Sequence, residues 1–197
     1  MIANLAEFDP KRLAAILYRP EQDADRLLAD FTQDLARHGV RVGGIVQRNF
    51  KGANGTKTML ALDVATGREI PICQPLGRGA MSCKLDANGL ADAAVVVSRA
   101  IKRQVDLLVI KKFSKQEASG RGLRDEFADA IIAGVPLLTA VPEKCHAAWR
   151  TFTGDVGTTL RCERQVVEGW WRDIALRLPR IRAHCIPSAA IYPHQIR

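Results

Sequence analysis

Long apolar runs are missing from this chain of 197 residues. None approaches the ~18–20 residues that a membrane-spanning helix needs, so no membrane partner is expected. The opening "MIANLAEFDPKR" carries acidic residues and no apolar stretch, which argues against a secretory signal. Cysteine is scarce and scattered, at 73, 83, 145, 162 and 185. An odd number without a Cys-x-x-Cys spacing argues against a disulfide framework and a zinc knuckle. A reducing, cytoplasmic location fits that usage. The scattered Cys and His residues lack metal-ligand spacing, and no metal is expected. Aromatic residues make up only 6%. No basic region is interleaved with them as a single-strand stacking platform would be, so nucleic acid is not the favoured partner. Acidic residues are also in deficit. Lys and Arg number 29 against 21 Asp and Glu, a formal charge of +8 with histidine neutral. That imbalance points to an anionic partner such as a nucleotide or an oxyanion.

What is present is a hydrophobic content of 47%, enough for a core. The length suits one domain, placed at residues 1–178, with a Pro-containing arm at 179–197. "LAAILY", 13–18, reads as a short buried strand, and Asp23 as the cap of a helix that Gly39 ends. "VRVGGIVQ", 40–47, is the second strand, and "RNFKGANGTK" a loop. "TMLALDVATGREIPICQ" reads as a hairpin turning at Thr66-Gly67. A polar loop, 75–84, leads to a helix capped by Asp86 or Asn88 and running to about Arg103. Asp106–Lys111 is a strand apolar on both faces, as in a covered sheet. Helices are expected at Leu123–Ala133, Glu143–Phe152 and Glu163–Arg177, with "VPLLTAV" as another buried strand. This alternation implies an α/β fold in three layers: a mainly parallel sheet, helices on both faces and an inserted antiparallel hairpin. Ligands in such folds bind beyond the carboxyl ends of the strands, here after Tyr18, Gln47, Lys111 and Val141.

"GANGTKT", 52–58, imitates a phosphate loop. That motif needs Gly-Lys-Ser/Thr directly joined and leading into a helix, whereas Thr56 separates Gly55 from Lys57 and a strand follows. After the first strand, where such a loop belongs, stands "RPEQDAD", without glycine. Glu21, Asp23 and Asp25 already supply negative charge to that helix end.

The densest chemistry is at 111–124, "KKFSKQEASGRGLR". Lys111 and Lys112 follow the buried strand, so at least one is expected to face the rim. Lys115 and Glu117 can pair. Gly120 and Gly122 allow positive φ or a close ligand approach. Arg121 and Arg124 offer planar forks suited to phosphate or carboxylate. Gly77-Arg78-Gly79 echoes the pattern, and Cys83 and Lys84 follow. Cys83 beside Lys84 reads either as a lowered-pKa thiol or as an inert small hydrophobe. Cys145-His146 and His184-Cys185 are neighbours whose side chains diverge on a helix, so neither forms a nucleophile–base pair.

"AAILY", "ADRLLADF", "GVRVGGIVQ", "LDVATGREIPICQPLGRGAMSCKLD", "DLLVIKKFSKQEASGRGLRDEFADAI" and "GVPLLTAV" together resemble a bacterial domain-of-unknown-function family, number twenty-four seventy-eight in its series. The likeness runs from about 12 to 160. It is most specific in Lys-Phe-x-Lys-x-Glu-x-x-Gly-Arg-Gly-Leu-Arg at 112–124, then in Cys-Lys-Leu-Asp at 83–86. The resemblance implies an association with molybdenum-transporter ATP-binding proteins. The layout also looks like the P-loop nucleoside triphosphatases. It departs from them at the missing phosphate loop and at Lys111-Lys112, which stand where an acidic pair would hold Mg²⁺. A lysine cannot ligate Mg²⁺.

The expected function is therefore binding or regulation on a degenerate P-loop-like scaffold. The ligand would be a nucleotide or an oxyanion such as molybdate, phosphate or sulfate, bound without ATP hydrolysis; no cofactor is indicated. Lys112, Lys115, Arg121 and Arg124 would donate charge, with Arg78, Cys83 and Lys84 near by, and Gly120 and Gly122 would shape the loop. One alternative is an enzyme acting on a phosphorylated or nucleotide substrate with Glu117 as base and Lys112 as electrophile. The other is a basic module for an acidic partner or nucleic acid, using Arg161, Arg164, Arg172, Arg177, Arg180 and Arg182.

Overall fold

The structure, a computed structural model, describes residues 9–51, 57–74 and 84–178. Its main sheet has seven strands in the order β4-β3-β2-β7-β8-β1-β9. These are β1 (Leu13–Tyr18), β2 (Val42–Lys51), β3 (Lys57–Asp63), β4 (Glu69–Pro71), β7 (Leu107–Ile110), β8 (Leu137–Pro142) and β9 (Thr158–Arg161). β2, β7, β8, β1 and β9 run parallel, while β3 and β4 add antiparallel to the edge at β2. β5 (Cys73–Gln74) and β6 (Lys84–Leu85) pair separately. The helices are α1 (Ala24–Arg37), α2 (Ala87–Lys102), α3 (Lys115–Ala118), α4 (Arg124–Ile132), α5 (His146–Thr153) and α6 (Arg164–Ala175).

The central strands are buried on both faces because their residues are apolar without alternation. In β7, Leu107 and Val109 pack with Phe31 of α1 and Trp171 of α6. Leu108 and Ile110 face the other way, towards Val97 of α2, Phe127 of α4 and Trp149 of α5. Successive strand side chains point to opposite faces, so one uninterrupted apolar run feeds two cores. This is the three-layer fold expected from the chain's alternation of elements.

Four local expectations are corrected. β2 continues to Lys51 through residues read as loop, because Arg48 to Lys51 pair with Leu60 to Lys57. A one-turn helix, α3, lies inside the supposed loop after β7. β9 was not foreseen; Thr158–Arg161 is short and half-polar and is ordered by pairing with Ala14–Leu17. The helix expected from Glu143 begins as a 3-10 turn, Glu143–Cys145, before α5. The proposed arm at 179–197 lies outside the described residues. Among the described residues, no helix is long and apolar enough to cross a membrane.

From β1 the chain crosses via α1 towards β2 on one face; from β8 it crosses via α5 towards β9 on the other. The connections of β1 and β8 leave in opposite directions, and folds of this kind bind ligands near such a switch point. β7 and β2 follow β8 along the sheet and pack closely on each other. Gly44 has φ +98°, and a Cβ there would lie 2.1 Å from the Val109 carbonyl oxygen. Gly39, at φ +79°, has open space around it. Gly44→Ala should therefore cost at least ~3 kcal/mol, and Gly39→Ala about 1 kcal/mol, the conformational strain alone. Denaturant unfolding of the two variants checks this; equal losses would contradict the close-approach account.

Candidate functional site

The turn between β1 and α1 is short and closed on itself. Gln22 N–H donates to the Arg19 carbonyl at 3.0 Å, and Arg19 N–H to Gln22 Oε1 at 2.8 Å. Arg19 Nε also donates to Glu143 Oε1 at 2.8 Å, tying the ends of β1 and β8 together. Asp23 caps α1 by accepting from Arg26 N–H at 2.9 Å. The turn has no glycine, and its Arg19, Gln22 and Arg26 amides are used within the chain, unlike the glycine-rich amide cradle that wraps a polyphosphate.

The first turn of α1 instead presents Asp25. Its Oδ2 accepts from Gln47 Nε2 at 3.2 Å and from Asn49 Nδ2 at 3.0 Å. Gln47 Nε2 also donates to Asn49 Oδ1 at 2.8 Å, so the two acceptors fix the orientation of the Gln47 amide. Gln47 is only 3% exposed, and its Oε1 is buried without a hydrogen-bond partner among the described residues. Such an orphan costs about 1–3 kcal/mol. Burial raises the pKa of Asp25; the charges of Lys112 and Lys111 and the hydrogen bond from Asn49 work against that rise. Tyr18, at the end of β1, is pushed up to about 12 by burial and then by the Asp25 charge and the thiols of Cys145 and Cys162.

Lys111 follows the last residue of β7 and is only 6% exposed. Among the described residues its ammonium makes no hydrogen bond and no ion pair within 4 Å. It feels Glu117 and Asp25 as attractive charges and Lys112 as a repulsive one, but burial dominates and lowers its pKa. Lys112 is half-buried. Phe113 then plunges back into the core, with ring centroids 5.1 Å from Trp149, 5.3 Å from Phe152 and 5.6 Å from Phe127. That anchor fixes where both lysines leave the sheet. Thr139 Oγ1 adds a 2.8 Å hydrogen bond to the Ile110 carbonyl just before them.

The rest of the glycine–arginine loop is largely occupied with its own construction. Glu117 is 3% exposed. Its Oε2 accepts from Ser114 N–H at 2.9 Å and Ser114 Oγ at 3.4 Å, and its Oε1 from Leu123 N–H at 3.3 Å. Gly122, at φ +70°, passes so close that a Cβ would sit 2.3 Å from Glu117 Oε1; Gly120 has φ +81° with open space. Arg124 donates from Nη1 to the Glu117 carbonyl at 3.0 Å, and its guanidinium carbon lies 4.4 Å from the Phe152 ring centroid. Lys115 and Arg121 are exposed, with Arg121 Nε 3.4 Å from Ser119 Oγ. Of the residues singled out earlier, Lys112 stands with the Asp25–Lys111 group. Lys115 and Arg121 lie on the solvent side of the loop, and Glu117, Gly120, Gly122 and Arg124 build it. Arg78 and Cys83 lie outside the described residues, and of Lys84 only the backbone is placed, opposite Gln74.

Gln47 and Asn49 look like a strand end and a loop in the sequence, and Asp25 like a helix-end charge. The available signal was polar residues ending apolar strands: Gln47 after "GGIV" and Lys111 after "LLVI".

The fold is that of a nucleoside triphosphatase scaffold. The solution structure of a human cancer-related nucleoside triphosphatase matches with a TM-score of 0.51 at 14% identity, covering 85% of this chain and 98% of the other. The family model for proteins of unknown function, DUF2478, matches residues 13–170, and the chain belongs to that family. It is also 62% identical over 201 residues to the molybdenum import ATP-binding protein ModC 2 of Bradyrhizobium diazoefficiens. That alignment takes in 98% of this chain but 22% of the relative, so the chain spans about a fifth of the relative's length.

Two stability measurements test this geometry. Glu117→Ala leaves the buried Leu123 N–H and the half-buried Ser114 N–H unpaired and should cost about 2–4 kcal/mol in denaturant unfolding. Lys111 behaves oppositely. Its folded-state pKa lies below its unfolded value, so the unfolded chain binds more protons between the two, and this group's contribution to stability rises with pH across that window. Lys111→Met should raise the unfolding midpoint at neutral pH and flatten that rise. A lower midpoint would show that the ammonium is a net stabiliser.

Proposed function

We propose that this chain is a binding or regulatory protein that holds a nucleotide or an oxyanion at the Lys111–Lys112 edge of the sheet and does not hydrolyse ATP. The observation that carries the reading is Lys111, a side chain only 6% exposed at the carboxyl end of a central strand, desolvated enough to lower its pKa and without an ion pair within 4 Å among the described residues. A desolvated cation is costly unless paired, and an anion arriving at the rim would pair it. In phosphate-loop enzymes the amide cradle and Mg²⁺ supply the positive charge. Here Lys111 and Lys112 are the inner donors, and Lys115 and Arg121 the outer ones. Gly120, Gly122, Glu117 and Arg124 hold the loop in shape. The relative's name joins ATP binding to molybdenum import, which makes ATP and molybdate the first ligands to try.

Two observations favour this over the alternatives. Both oxygens of Glu117 accept hydrogen bonds within the loop, which leaves it poorly placed as a general base. The arginines of the C-terminal segment are largely engaged inside the chain. Arg164 pairs with Asp34 and Glu168, Arg161 with Glu163 and Arg177 with Asp9. That weakens a basic docking face; Arg180 and Arg182 lie outside the described residues.

A thermal-shift series with ATP, ADP, phosphate, sulfate and molybdate, each with and without Mg²⁺, tests the reading. A ligand at 100 times its Kd adds ~2.7 kcal/mol to the native state. At least one of these anions should raise the midpoint equally well without Mg²⁺, and Lys111→Met should lose most of that shift. Phosphate release from ATP should stay at background. A shift retained in full by Lys111→Met, or no shift with any anion, would overturn the assignment.

A further inference from the structure

The proposed anion site already contains an anion. Asp25 sits in the first turn of α1, close enough to Lys111 and Lys112 for their charges to act on it, and Gln47 and Asn49 both donate to its Oδ2. A second negative charge brought to the same lysines meets this carboxylate as a like charge. Among the described residues two acceptors there also lack donors: Gln47 Oε1, which is buried, and Asp25 Oδ1. The arrangement has cations to offer an anion and unfilled acceptors to offer a proton.

We propose that the site takes up a tetrahedral oxyanion together with one proton, and that Asp25 is the residue imposing this requirement. The inference rests on the anion-site reading above and narrows it. The proton arrives in one of two ways. A ligand that carries its own, as inorganic phosphate does at neutral pH, donates its O–H to Asp25. For a ligand that carries none, such as sulfate or molybdate, Asp25 itself must be protonated, and the carboxyl O–H then donates to a ligand oxygen. Either way one hydrogen bond replaces one carboxylate–oxyanion repulsion, and the proton count balances.

The surroundings of Asp25 suit this role. The groups facing it are Asp23 from its own helix, Tyr18 from β1, Lys111 and Lys112 after β7, and the uncharged Gln47 and Asn49 from β2. Burial makes its carboxyl hold a proton to higher pH than an ordinary aspartate would. Lys111 also titrates more readily than an ordinary lysine, and that would weaken every anion alike as pH rises. The ratio of phosphate to sulfate affinity at one pH cancels the Lys111 contribution and isolates Asp25.

Calorimetric titrations of the full chain and of Asp25→Asn with inorganic phosphate, sulfate and molybdate at pH 7 and pH 8 test the proposal. The wild type should bind phosphate at least ~10-fold more tightly than sulfate or molybdate. Between the two pH values its sulfate affinity should fall by up to ~10-fold more than that of Asp25→Asn does, as one coupled proton requires. Asp25→Asn should bind sulfate at least ~10-fold more tightly than the wild type at pH 8, with the phosphate preference gone. Equal wild-type affinities for phosphate and sulfate, or an unchanged ratio in Asp25→Asn, would overturn the proton coupling while leaving the anion site standing. No binding of any of the three anions to either protein would remove the site and the coupling together. Should Asp25→Asn not fold, the wild-type ratio at pH 7 decides by itself.

Discussion

An ammonium group at the end of a strand buried on both faces is an unusual thing for a chain to maintain. β7 is covered by α1 and α6 on one side and by α2, α4 and α5 on the other, and Lys111 leaves it at its carboxyl end while still only 6% exposed. The electrostatic cost of that position organises its neighbours. The charges of Glu117 and Asp25 act on the ammonium without either forming an ion pair with it within 4 Å. Phe113 locks the backbone two residues on, and the capping carboxylate of Glu117 locks the turn beyond it. Protein interiors pay for buried charge only where it is balanced. Here the balance is incomplete in the described residues, which is why the end of this strand is the place to look for function.

The charge order at this rim is the reverse of that in phosphate-loop enzymes. There the strand-to-helix turn is positive, through backbone amides and a lysine, and an acid at a strand end holds the metal. In this chain the helix start carries Asp23 and Asp25, and the strand end carries Lys111 and Lys112. The turn 19–23 is closed by its own hydrogen bonds and clamped to β8 through Arg19–Glu143. The fold is similar, and the charges at this edge are the other way round. In the proposed reading, that edge holds an anion in place of transferring a phosphoryl group.

Much of the fold was legible because burial wrote it into the residue types. "LLVI" and "LLTAV" have no polar alternation, so they had to be central strands, and Gly39 and Gly134 marked helix ends by their need for positive φ. What escaped was decided by long-range pairing. Arg48–Lys51 look like loop until β3 supplies the ladder, and Thr158–Arg161 becomes a strand only beside β1. The site was half legible. The lysines and the glycine–arginine loop drew the eye, and Lys112 does stand at the rim. Gly122, however, is required by the nearness of Glu117, and Arg124 is held over Phe152. The partners that complete the group come from α1 and β2, some 60–90 residues earlier in the chain. No local spacing could have assembled Asp25, Gln47 and Asn49 with Lys111.

The most direct measurement is side-chain NMR of the lysine ammonium groups on a ¹⁵N-labelled sample titrated with inorganic phosphate. Saturable shifts of the Lys111 and Lys112 Nζ resonances are expected, larger than any at Lys115 and accompanied by a shift of the Gln47 side-chain amide. Shifts confined to exposed lysines, with Lys111 and Gln47 unmoved at saturating phosphate, would contradict the anion-site reading.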